Sequence, residues 1–159
     1  METMQVITES AAGTRRLGYL LGEILEPGDV LFLTGPLGAG KTTLTQGIAR
    51  GLGISAEVMS PTFVLMRELQ GRLALYHIDL YRLDDLSEIA DLGLDDYFYG
   101  DGVTVVEWAD RAEALLPEER LAIVIDYHGE QSRSFKHSAR GERYRHLLYQ
   151  LAGRWEGSS

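Results

Sequence analysis

The run Gly35-Pro36-Leu37-Gly38-Ala39-Gly40-Lys41-Thr42 follows the apolar stretch Val30 to Thr34 and opens the helical stretch Lys41 to Leu52. A strand, a glycine-rich turn and a helix in that order constrain the fold more than any other feature of the chain. Glycines let the backbone wrap closely so that successive N–H groups point inward, and the helix that follows adds the positive end of its dipole. Such a unit is suited to a polyphosphate. The run matches the Walker A pattern G-x-x-x-x-G-K-[ST], in which Lys41 supplies a point charge between the β- and γ-phosphates and the Thr42 hydroxyl sits on Mg²⁺. With this chain's residue frequencies the pattern arises by chance about 0.003 times in such a length. The chain has only two lysines, Lys41 and Lys136, and one of them occupies the position of the pattern that requires lysine.

At 159 residues, 45% hydrophobic and 25% charged, the chain is expected to form one domain over residues 1–155, with 156–159 as a frayed tail. The absence of cysteine excludes a disulfide scaffold, a thiolate metal site and a cysteine nucleophile. The start METMQVITES has neither a positive nor an apolar leader segment, and no window approaches the roughly 18–20 apolar residues of a bilayer span. A full-length, soluble, cytoplasmic protein is therefore expected. The formal charge of −9 argues against non-specific nucleic-acid binding. That charge is uneven. Residues 1–130 hold 22 acids and 9 bases, net −13, whereas residues 131–159 hold 2 and 6, net +4. The stretch Asp79 to Glu119 alone has 13 acids and 2 arginines, which reads most simply as a solvated face.

Short apolar runs alternating with helical patterns predict an α/β fold with a layered sheet. Strands are expected at Met4 to Thr8, Val30 to Thr34, Thr62 to Leu69, Arg72 to Ile78, Val103 to Glu107 and Leu121 to Asp126. The third and fourth of these are joined by Gln70-Gly71, as in a hairpin. Ser10 is placed to cap a helix carrying Leu17, Leu20, Leu21, Ile24 and Leu25, although Gly13, Gly18 and Gly22 weaken it. A short helix fits Ala109 to Leu116, and Arg143 to Leu151 suits either a strand or a helix.

A Walker A loop needs an acid at the end of a neighbouring strand to organise the Mg²⁺ shell. Leu75-Tyr76-His77-Ile78-Asp79 ends one strand in aspartate and Val103-Thr104-Val105-Val106-Glu107 ends another in glutamate, so a two-carboxylate site is expected. Guanine selection through N-K-x-D or T-K-x-D is impossible, because asparagine is absent and Lys136 begins Lys136-His137-Ser138-Ala139. ATP is the expected nucleotide. A small-molecule kinase would need an arginine-bearing lid, for which the segment Arg133 to Arg145 is the candidate. Ser60-Pro61-Thr62-Phe63 lies between the loop helix and the acidic strand, where switch segments sense γ-phosphate, and Thr62 is its candidate sensor.

GPLGAGKTT, SPTF, HIDLYRL, LGLDDYF and VVEWADR stand in the order and spacing of the bacterial TsaE family, the small ATPase of tRNA threonylcarbamoyladenosine biosynthesis, which the chain resembles from about Leu17 to Tyr127. The resemblance implies a three-layer P-loop NTPase fold with a mixed, mostly parallel sheet. It implies Mg-ATP bound by Gly38, Ala39, Gly40, Lys41, Thr42 and Thr43, with Thr42 and Glu107 as metal ligands and Asp79 as the Walker B type acid. It also implies partnership with a TsaD–TsaB pair, TsaD carrying the threonylcarbamoyl transfer, and hence an indirect link to tRNA; self-association is left open. Pro36 departs from the family, which commonly has an acid there. It removes an N–H outside the central phosphate nest, so binding is expected to survive. Arg133, beyond the resembling region, is a further candidate nucleotide contact.

Lys41, Asp79, Glu107 and Thr62 are thus the candidate catalytic residues, with Asp79 or Glu107 orienting the attacking water. His77 shares a strand face with Asp79 and suits a supporting role, a general base or a purely structural one. Trp108, next to Glu107, suits packing, the positioning of that carboxylate or the lining of the site. Arg82 and Arg111 suit either charge stabilisation, partner docking or surface ion pairs.

Overall fold

The computed structural model describes residues 1–36, 38–58, 66–80, 87, 93–98 and 100–157, with the side chains of Arg111 and Ala112 excepted. Seven strands form one sheet: β1 (Thr3–Thr8), β2 (Val30–Thr34), β3 (Met66–Leu69), β4 (Leu75–Asp79), β5 (Val103–Glu107), β6 (Arg120–Tyr127) and β7 (Arg133–Arg140). Their order is β1-β7-β6-β2-β5-β4-β3. The central strands β6, β2, β5 and β4 pair in parallel, while β1–β7, β7–β6 and β4–β3 pair antiparallel. Five strands therefore run one way, with β7 and β3 against them, so the sheet is mixed as expected, parallel at its centre and antiparallel toward its edges.

β2 is apolar along its length because it lies between β5 and β6 with both faces covered. Its alternate residues serve opposite layers. Leu31 and Leu33 join a core with helices α1 (Ala11–Ile24), α2 (Lys41–Gly51) and α4 (Glu142–Glu156), while Val30 and Phe32 pack with Leu94 and Phe98 and with Ala109 and Leu116. Among the described residues, the short helix α3 (Asp95–Phe98) and a 3-10 helix (Ala109–Leu115) form the second layer. Helix, sheet and helix make the three layers.

The Ser10 hydroxyl caps α1 by accepting from the Gly13 N–H at 3.1 Å. The glycines that weaken α1 in isolation have a tertiary purpose. A Cβ at Gly18 would lie 2.4 Å from the Leu44 carbonyl oxygen, and one at Gly22 would lie 2.3 Å from that of Ile48. Gly47 and Gly51 of α2 answer them, their Cβ positions falling 2.1 Å from the Arg15 oxygen and 2.3 Å from the Tyr19 oxygen. The two backbones touch, which fixes α2 and hence the loop at its head.

One expectation changes, and one alternative resolves to the helix. Residues 133–140 form β7, an unpredicted strand, because His137 and Ser134 occupy buried positions that a strand pattern reserves for apolar residues. Residues 143–151 belong to the helix α4, with Tyr144, Leu147, Leu148 and Leu151 buried. The β3–β4 hairpin forms over Met66–Leu69 and Leu75–Asp79.

Candidate nucleotide and metal site

The glycine-rich loop leaves the end of β2 and delivers the chain to α2. Gly35 passes so close to β6 that a Cβ would lie 2.2 Å from the Ile125 oxygen, so no side chain fits there. Gly40 takes φ +117, a left-handed conformation natural to glycine, and nothing lies within 4 Å of where its Cβ would stand. It opens α2 with no side-chain cap. The first N–H groups of an eleven-residue helix thus face an open concavity, which fits a phosphate chain.

Lys41 is the first residue of α2 and is only 6% exposed. Its ammonium donates to the carbonyl oxygens of Gly35 at 2.7 Å and Pro36 at 2.9 Å, and stands 4.1 Å from the centre of the Trp108 ring. Burial holds its pKa below the ordinary lysine value; the negative charges of Glu107, Asp79 and Asp110 act in the opposite direction. Proline at position 36 therefore still contributes, through its carbonyl, to holding Lys41.

Asp79 and Glu107 end adjacent strands and are direct partners in the β4–β5 register, as are His77 and Val105. All four side chains lie on the α2 side of the sheet, since Val105 belongs to that core and strand side chains alternate. Asp79 is half-buried, whereas Glu107 is 2% exposed and hydrogen-bonded to His77 Nε2. No group of three or more His, Asp or Glu is placed to hold a metal ion by itself among the described residues. Two carboxylates and the Thr42 hydroxyl at the head of α2 are nevertheless the donor set Mg²⁺ takes when phosphate oxygens and water complete its shell.

Trp108 follows Glu107 with φ 61, the only positive φ outside glycine among the described residues. Its N–H donates to the Leu33 oxygen at 3.0 Å. The turn so formed carries the indole under the Lys41 ammonium, a cation–π contact of about 1 kcal/mol or more when shielded from water. An unfavourable backbone conformation held beside reactive groups is typical of functional sites.

Gly38, Gly40 and Thr43 line one wall of a cleft of about 250 Å³, whose other wall is Ala11, Thr14, Glu130, Gln131 and Arg133. Ala39 lies inside the loop, fully buried. Arg133 is paired in register with Tyr127, its guanidinium lies 4.7 Å from that ring, and it donates to the carbonyls of Gly129, Glu130 and Ser132. Tyr127 reaches the loop from the same hairpin, its hydroxyl 3.0 Å from where a Gly38 Cβ would be. The sequence does not single out Tyr127, because its pairing with Arg133 depends on a hairpin that the β7 pattern conceals.

Thr62, Tyr81 and Arg82 lie outside the described residues, as does the Arg111 side chain. The segment Arg133 to Arg145 is strand β7 and the start of α4 and makes no lid. Its Arg143 is bound bidentately to Asp29, Nε to Oδ1 at 3.0 Å and Nη2 to Oδ2 at 2.7 Å, which raises the guanidinium pKa further. That pair lines a larger cavity of about 470 Å³ beside Val30, at the opposite end of β2 from the loop. Ligands of open α/β sheets bind beyond the carboxyl ends of the strands, so the loop cleft is the functional candidate.

Residues 8–135 match the family described as Threonylcarbamoyl adenosine biosynthesis protein TsaE. The tRNA threonylcarbamoyladenosine biosynthesis protein TsaE of Bacillus subtilis is 48% identical over 153 residues, covering 96% of both chains. Its namesake in Treponema pallidum is 46% identical over 122 residues, covering 77% of this chain and 90% of that one. The crystal structure of Bacillus subtilis YdiB superposes with a TM-score of 0.86 at 42% identity, covering 96% of each chain.

Proposed function

The chain belongs to the TsaE family, a component of tRNA threonylcarbamoyladenosine biosynthesis, and from that membership we propose that it is a Mg-dependent ATPase supporting a TsaD–TsaB assembly. The observation that carries this reading is Lys41: a nearly buried ammonium at the head of α2, held on loop carbonyls and within the field of Glu107 and Asp79.

The backbone N–H groups of Gly38 to Thr43 cradle the phosphates of ATP, and Lys41 turns from the Gly35 and Pro36 oxygens to the β- and γ-phosphates. Thr42 and Glu107 would hold Mg²⁺, with Asp79 beside them as the Walker B type acid. When bound, Mg²⁺ supplies charge neutralisation on the phosphate oxygens. A water oxygen attacks the γ-phosphorus as the bond to the β,γ-bridging oxygen breaks; Asp79 or Glu107 orients that water, and Thr62 reports the nucleotide state. Arg133, on the far wall of the cleft next to Thr43, contacts the nucleotide beyond its phosphates.

No helix among the described residues is long and apolar enough to cross a membrane. We place the protein in the cytoplasm with tRNA as an indirect partner. The test is ATP hydrolysis by the full chain with and without TsaD and TsaB type proteins. Stimulation by the pair, with free phosphate as product, is expected. Indifference to the pair, or phosphate transferred to an added small molecule, would overturn the proposal in favour of a small-molecule kinase.

A further inference from the structure

One buried polar side chain at the site is not used by this reading. His77 has no exposed surface, its Nε2 is hydrogen-bonded to Oε2 of Glu107, and its Nδ1 has no partner among the described residues. Position 77 lies between Leu75 and Asp79 on one face of β4, beside Val105 of β5; Leu75 and Val105 are fully buried core residues. An aliphatic side chain would serve the packing there without the cost of a half-satisfied imidazole. The bond to Glu107 is what the imidazole adds.

That bond matters because of what stands opposite. Glu107 is the last residue of β5, with Lys41 close enough for the carboxylate to oppose the fall in its pKa. A strand-end glutamate facing a lysine readily forms an ion pair. Here none forms: the ammonium is engaged by Gly35, Pro36 and the Trp108 ring, and the carboxylate by His77. Each of the two opposite charges is engaged elsewhere, and they do not pair with one another.

We propose that His77 is a positioning residue for Glu107: it donates its Nε2–H to Oε2, keeps the carboxylate out of an ion pair with Lys41 and presents Oε1 to a divalent cation. The proposal rests on the Mg-ATP reading of the site. Partners that orient a ligating carboxylate are typically worth about 10–100-fold in metal affinity.

The experiment measures binding of a fluorescent ATP analogue by the full chain, titrated with Mg²⁺ and repeated in EDTA. His77→Leu is expected to raise the Mg²⁺ midpoint by about 10–100-fold while leaving affinity in EDTA unchanged. His77→Gln, whose amide can donate from nearly the same place, is expected to recover the wild-type midpoint. His77→Asn, one carbon shorter, is expected to behave like His77→Leu. If His77→Leu does not fold, the Gln and Asn variants decide. Glu107→Gln separates the two layers of argument. A shifted midpoint in Glu107→Gln with an unshifted one in His77→Leu, or in His77→Asn should His77→Leu not fold, overturns the positioning role alone. Unshifted midpoints in Glu107→Gln and the His77 variants overturn the metal reading and the positioning role with it. A His77→Gln variant as impaired as His77→Asn shows that the donor is not what matters, and the proposal falls.

Discussion

Replacing Gly47 by alanine should destabilise the protein, and the same replacement at Gly153 should stabilise it. Both residues sit inside helices, α2 and α4, where alanine gains about 1 kcal/mol over glycine from propensity alone. Their surroundings differ. At Gly153 nothing lies within 4 Å of the new Cβ, so the propensity gain survives, and a rise in stability of about 0.5–1 kcal/mol is expected. At Gly47 the Cβ would stand 2.1 Å from the Arg15 oxygen and 2.9 Å from the Arg15 carbonyl carbon. Ordinary contact begins near 3.4 Å, so α1 and α2 must separate by more than 1 Å, and both colliding groups are backbone with no rotamer to escape into. Overpacking of this kind costs about 1–3 kcal/mol. The upper part of that range applies to a backbone clash, and after the propensity gain a net loss of about 2 kcal/mol remains. For a domain of this size each kcal/mol moves Tm by about 2–4 °C, giving a fall of about 4–8 °C for Gly47→Ala and a small rise for Gly153→Ala. Thermal and urea unfolding followed by circular dichroism read both. Equal and favourable shifts for the two variants would refute the claim that the α1 and α2 backbones are in contact.

Other expectations follow from groups away from the loop. His137 is 1% exposed, and burial pushes its pKa down to about 4 from an unfolded value near 6.5. Between those values the unfolded chain binds a proton that the folded chain does not, so stability should fall by about 3 kcal/mol as pH drops from 6.5 to 4. His137→Leu should lack that component in urea titrations at the two ends of the window; an unchanged pH profile would count against it. Arg143→Ala leaves Asp29, 3% exposed, without its bidentate partner and should cost about 2–4 kcal/mol in urea unfolding. A cost below about 0.5 kcal/mol would mean that the pair behaves as an exposed one. Tyr144→Phe removes the oxygen that accepts from the Val30 N–H at 2.9 Å and should cost about 1–2 kcal/mol in the same assay.

Strands β2, β5 and β6 were legible because buried parallel strands read as continuous apolar runs, and α2 because the Walker pattern requires a helix after the lysine. β7 was not, since its buried face is built partly from Ser134 and His137. The glycines of α1 read as a weakness because propensity is a local property and their partners lie on another helix. At the candidate site, the placing of Lys41 and Thr42 at the head of α2 and of two acids at the ends of adjacent strands was legible from spacing. The hydrogen bond between His77 and Glu107 was not, because it depends on the β4–β5 register, and neither was the Tyr127–Arg133 pair, set by the β6–β7 register. The indole over Lys41 depends on a left-handed turn at Trp108 that no residue preference foretells.

Phosphate release from ATP by the wild type and by Lys41→Ala, each with Mg²⁺ and again with EDTA, tests the proposed chemistry most directly. The wild type should release phosphate only with Mg²⁺, and Lys41→Ala should fall by at least about 100-fold, the loss usual for removing one preorganised transition-state contact. A Lys41→Ala variant that folds normally and hydrolyses ATP at the wild-type rate would contradict the assignment of this loop as the catalytic site.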